Sequence, residues 1–168
     1  MARDKGDCFS ILQKAVRQKD PDKFEEALNA CFPMHYSEGL CKLLADVLEA
    51  DWHFRHEDVA RAIQNLKCAC AVEALERRAS RTPEYLVWDE NHALARKCTW
   101  ALADIGTDEA KQALERLSLS EITVVRGFAQ KRIDKWQDEL ARKGTGLRQR
   151  PNSILSFFGL KTRLWPWS

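Results

Sequence analysis

Two short stretches hold the residues with the most chemistry to offer. Trp52-His53-Phe54-Arg55-His56-Glu57-Asp58 packs imidazoles, carboxylates and aromatic rings into one run. Asp89-Glu90-Asn91-His92 forms a second run, preceded by Tyr85 and Trp88. His53, His56, Asp58, Asp89 and His92 are all metal-ligating types, and His-x2-His is a workable ligand spacing. That spacing is short, common by chance and divided between separate loops. Helix capping by Asp58, Asp89 and Asn91 is the stronger reading, so no metal or other cofactor is assigned. Capping alone, however, requires neither two Trp nor three His. The composition suits a recognition edge. Trp52, Tyr85 and Trp88 would be aromatic anchors, His53 and His56 adjoining polar contacts, and Asp58, Asp89 and Glu90 an acidic rim.

Other candidates carry less. Cys68-Ala69-Cys70 is too tightly spaced for a common zinc pair. Arg77, Arg78, Arg81, Arg96 and Lys97 could line a phosphate groove, but Glu57, Glu73, Glu76, Asp89 and Glu90 interleave them, as on a solvated helix face. Trp100 falls at an apolar helical position and reads as core. No nucleophile–base pair, Gly-rich phosphate loop or isolated carboxylate dyad stands out, so a non-enzymatic role is expected.

The elements that must position these residues repeat. Ala74-Leu75-Glu76-Arg77 recurs as Ala113-Leu114-Glu115-Arg116, and Ala62-Ile63 as Ala101-Leu102. Leu43-Leu44 precedes Ala74-Leu75 at a shorter interval, and Leu94, Cys98 and Leu102 are answered by Val125, Ala129 and Ile133. An insertion over 81–88 (RTPEYLVW) accounts for the difference in period. Each copy reads as two helical patterns with a break between them, and self-similarity of this length marks stacked helix pairs. Asp20-Pro21, Ser37, Thr107 and Ser120 are suited to start helices, and Gly106 to end one. A final helix is expected to run to about Lys143. The spacing predicts an all-α chain of about seven helices over 1–143, with a basic, aromatic tail over 144–168.

Composition sets the outer bounds. The chain has 168 residues, enough for one domain with a substantial core, and no apolar run nears the ~20 residues of a membrane span. The opening MARDKGDCFS lacks the apolar centre of a secretory signal, so a cytoplasmic site is expected. Cys31, Cys41, Cys68, Cys70 and Cys98 fall among apolar helical positions and read as buried free thiols. The net charge is +2. It divides into an acidic body and a basic tail, which bears on partners rather than fold.

The repeat pattern resembles a known family. Ala101-Leu102, Ile105-Gly106, Glu109-Ala110 and Ala113-Leu114 resemble the HEAT repeat, with the likeness spanning about 21–142. The resemblance implies a right-handed α-solenoid. It departs at Lys67-Cys68-Ala69-Cys70, where the usual Gly-centred turn is missing. The run YLVWDENHALARKCTWALADIGTDEAKQAL looks like small stand-alone bacterial HEAT-repeat proteins, which often resemble toxin-neutralising immunity proteins. The expectation this implies is a protein-binding module covering a basic toxin domain. A HEAT-like DNA-binding or base-excision protein using the basic C-terminal third is the alternative from another class, and a scaffold subunit is a third. DNA binding needs clustered, uncompensated positive charge, which the acidic body lacks. Residues 151–161 (PNSILSFFGLK) resemble a sliding-clamp docking peptide, but Pro151 stands where that motif has Gln.

Overall fold

The computed structural model describes residues 8–144, with side chains as far as 141. The expectations for 1–7, for the tail beyond 144 and for the 151–161 segment lie outside the described residues. Among those residues there are nine α-helices and no strand. They are α1 (Cys8–Gln18), α2 (Pro21–Ala30), α3 (Glu38–Glu49), α4 (His56–Leu66), α5 (Val72–Ser80), α6 (Ala93–Ile105), α7 (Asp108–Leu117), α8 (Thr123–Asp134) and α9 (Trp136–Gly144). Short 3-10 turns occupy Ala69–Ala71 and Glu84–Leu86.

The expected long final helix is two, which raises the count above seven. It breaks at Lys135, the residue that closes α8. Beyond the break Trp136 turns inward and is buried. Arg132 before the break and Glu139 after it form a buried ion pair, 2.9 Å between Nη1 and Oε1. The bond fixes the change of direction.

Packing follows the repeat. Helices α4, α6 and α8 lie side by side in one layer, and α3, α5 and α7 in the other. Helices α1 and α2 pair at one end, with α1 against α3, and α9 closes the other end against α6 and α8. The residues that recur in sequence are those that fill the seam. Leu44, Leu75 and Leu114 are all buried, as are Ala62-Ile63 and Ala101-Leu102. Burying each Leu contributes roughly 2 kcal/mol relative to leaving it exposed.

The recurring Glu-Arg has its own explanation. Arg77 of α5 reaches back to Glu49 of α3 with bonds of 2.6 and 2.9 Å. Its counterpart Arg116 of α7 reaches back to Glu76 of α5 with two bonds of 2.7 Å. These exposed pairs add little energy individually. Their fork geometry nonetheless fixes the register of one repeat on the next.

Several helix ends follow the expected chemistry, but Asp58 lies inside α4, where Arg55 holds the cap position without a side-chain bond, and two further ends also depart from it. Asp20, Ser37 and Thr107 accept from the first free N–H groups of α2, α3 and α7. Gly106 takes the left-handed conformation, φ 72°. Where the Gly-centred turn is missing after α4, Lys67 takes that conformation instead, φ 53°, and the Cys68 N–H bonds back to Ile63 O. Ser120 does not cap α8. Ile122 holds that position without a side-chain bond, and Ser120 Oγ accepts from the Ile122 N–H at 3.2 Å.

The expectation of buried free thiols needs correction at three positions. Cys41 and Cys68 form a disulfide with Cα atoms 5.4 Å apart. Stacking sets α3 against the Ala69–Ala71 turn, which brings the two sulfurs together. Cys70 is exposed. Cys98 is a buried thiol whose pKa is pushed up to about 12 by burial, so it stays protonated and unreactive.

Candidate partner-binding site

Between α3 and α4 the chain makes a tight corner, 50–55, and between α5 and α6 it makes the longer insertion, 81–92. The two stretches singled out in the sequence meet here. The meeting is organised from the inside by a column of rings. Phe24 of α2 packs edge-on to Trp52 at 5.4 Å and lies 4.9 Å from His53. His53 stacks on His56 at 4.2 Å, and His56 lies 5.6 Å from Tyr85. Phe54 then meets Tyr85 edge-on at 5.3 Å.

Polar bonds fix the same column. The last carbonyls of a helix lack partners within the helix. At the end of α3, His53 Nε2 donates to Val47 O at 2.8 Å and His56 Nε2 donates to Ala50 O at 2.8 Å. Arg78 Nε donates to Leu48 O at 2.8 Å. These roles settle the tautomers. His53 Nδ1 accepts from the Arg55 N–H at 3.1 Å, and His56 Nδ1 accepts from the Tyr85 hydroxyl at 3.0 Å. Both imidazoles are neutral, with burial the chief cause. It lowers the pKa of His53 and takes that of His56 down to about 4, with His53 and Arg78 reinforcing the latter. Burial also raises the Tyr85 phenol, keeping its proton available to His56.

His53 and His56 are therefore supports beneath the surface, fully buried, and not the polar contacts expected of them. Trp52 is half-buried against Phe24 and His53. Asp89 is occupied as the cap of α6. Its Oδ2 accepts from the Ala93 N–H at 2.7 Å and its Oδ1 from the Asn91 N–H at 3.0 Å, which relieves His92 of that task. Asp58 pairs with Arg55, which also pairs with Glu25 of α2. The five residues weighed as metal ligands are not brought together, and among the described residues no group of three ligating side chains converges.

What faces outward is apolar. Trp88 is 91% exposed and Phe54 and Val87 are each 62% exposed, with Tyr85 at the rim. Glu84 and Glu90 are exposed beside them. Phe54, Tyr85 and Val87, with Asp51, Arg81 and Pro83, line an open cleft of about 610 Å³. Of the predicted anchors, Tyr85, Trp88 and Glu90 reach this surface. Phe54 and Val87 are added to it, and both carried a signal, as large apolar residues lying outside any helical period.

Four of the five basic residues weighed for phosphate are spoken for, the exception being Arg96, which is exposed. Arg77 holds Glu49, while Arg78 and Arg81 both hold Asp51, at 3.2 and 2.7 Å. Lys97 holds Glu57 at 2.6 Å. Trp100 is partly exposed rather than core, with the Arg132 guanidinium 3.7 Å above its ring. No helix among the described residues is long and apolar enough to cross a membrane. The chain matches no protein-family model, no curated protein and no solved structure.

Proposed function

We propose that this chain is a protein-binding module of the toxin-neutralising type, acting by covering the working surface of its partner. The observation that carries the reading is Trp88, almost wholly exposed on a turn that is otherwise tied down. Asp89 caps the helix after it, and Tyr85 is bonded to His56 before it. Large apolar groups grouped on a surface mark a contact site, and holding them in place beforehand lowers the entropy cost of binding. Flanking Glu84 and Glu90, on a body with 22 acidic and 17 basic residues over 1–125, favour a basic partner.

The test is co-expression of the full chain with the product of the neighbouring gene. Wild type is expected to co-purify with that product and to inhibit it in proportion to the amount bound. Trp88→Ala should weaken the complex by about tenfold or more, as for a central aromatic anchor, while leaving the melting temperature unchanged. If Trp88→Ala and Phe54→Ala each bind as wild type does, this surface is not the contact face.

A further inference from the structure

The two corners described above belong to a series of three. Helices α3, α5 and α7 stack in one layer and α4, α6 and α8 in the other. The links that return from the first layer to the second, 50–55, 81–92 and 118–122, must therefore emerge along one edge. All three display large apolar side chains. Phe54 stands on the first link, and Val87 and Trp88 on the second. On the third, Leu119 is 82% exposed and Ile122 is 40% exposed. On the opposite edge the links α4–α5 and α6–α7 carry no exposed large apolar side chain, and the α2–α3 link carries one, Tyr36, 65% exposed. Exposure of this kind recurs at each of the three links on the first edge and does not recur on the other.

We infer that this edge is one continuous docking ridge for a basic amphipathic helix of a partner protein, extending beyond Trp88 and the cleft at Phe54 and Tyr85 to Leu119 and Ile122. The inference rests on the protein-binding reading and adds the partner's shape and charge. Neighbouring helices in a layer lie about 10 Å apart, so the three apolar clusters recur at about that interval. Seven residues of a helix rise about 10.5 Å, so one apolar residue per two turns meets each cluster. An extended segment fits less well. It needs a strand edge to bond its backbone, and there is no strand among the described residues. A helix satisfies its own backbone bonds.

Charge selects among helices. The three links carry Asp51, Glu84, Asp89, Glu90 and Glu121 against Arg55 and Arg81. Arg55 holds Glu25, Arg78 and Arg81 hold Asp51, and Asp89 caps α6. The acidic charge presented is therefore that of Glu84, Glu90 and Glu121, with Arg126 bonded to the Ser120 carbonyl on the third link. A second copy of this chain would set one acidic edge against another, which disfavours self-association through it.

The test selects a displayed library of roughly 20-residue peptides, long enough for three such anchors, on the immobilised full chain. Recovered peptides are then titrated against wild type, Trp88→Ala and Leu119→Asp. Both variants replace exposed side chains, and matching thermal melts establish that they fold. The expected result is a set of peptides with net positive charge and helical apolar period. Each should bind about tenfold or more weakly to either variant, and less tightly as salt rises. If Trp88→Ala weakens binding and Leu119→Asp does not, the ridge ends at the cleft and only the protein-binding reading survives. If neither variant matters, both readings fall. Recovery of no basic amphipathic peptide, or a wild-type dimer in sedimentation that Leu119→Asp dissociates, overturns the ridge as well.

Discussion

His56 is held at both of its ring nitrogens. One ring nitrogen serves the end of α3 and the other serves Tyr85. Its pKa is about 4 in the folded chain against 6.5 when unperturbed. Between those values the unfolded chain holds a proton that the folded chain does not. Lowering the pH through that window therefore favours unfolding, and the contribution is fully present above 6.5. His53 is shifted in the same direction and adds to the effect. Melting temperature should fall by several degrees between pH 7 and pH 4.5. In His56→Gln it should start lower at pH 7 and decline less steeply. Equal slopes in the two proteins would show that His56 does not titrate as described. The sequence marked this cluster as unusual but could not say which side chains turn inward. That choice is made by Phe24 and Tyr85, which approach from distant parts of the chain. Trp88 was easier to read, because it lies between Leu86 and the Asp89 cap with no apolar period to join.

At the scale of elements, the caps and the repeat were legible, because both follow from local rules. Asp20, Ser37, Thr107 and Gly106 act within a few residues of themselves. Leu44, Leu75 and Leu114 recur because each must fill the same seam. The turn after α4 was harder, since it departs from its counterpart after α6. Lys67 adopts with strain the backbone that Gly106 adopts freely. Lys67→Gly should therefore stabilise the chain by about 0.5–1 kcal/mol. Gly106→Ala should destabilise it by about 1 kcal/mol or more. Its new Cβ would face positive φ and lie 3.3 Å from Leu140 Cδ2. Chemical denaturation of the two variants measures both signs. The break at Lys135 escaped sequence reading because residues on both sides of it suit a helix. It is the buried Arg132–Glu139 pair and Trp136, tertiary features, that turn the chain there.

At the scale of the whole molecule, stacked pairs touch mainly their neighbours, so stability is distributed along the stack. The Cys41–Cys68 bridge adds a covalent tie between two such neighbours, joining residues 27 apart from α3 to the turn that leads into α5. The pairing was not legible, because apolar spacing assigns both cysteines to the interior without saying that they face each other. Closing a loop of that length restricts the unfolded chain by about 3–4 kcal/mol. Reductant should lower the melting temperature accordingly, and Cys41→Ser should melt with or without reductant as the reduced wild type does. A wild type indifferent to reductant would remove the bridge from the account.

The same bridge gives the molecule a fixed middle. It works like a pin through a zip: α3 cannot part from the turn that leads into α5 while the sulfurs are joined. Opening must start from the unstapled ends, at α1 and α2 and at α8 and α9, and travel inward. Amide protons there should exchange first, and Trp88 should keep its footing until the teeth on either side of it have separated.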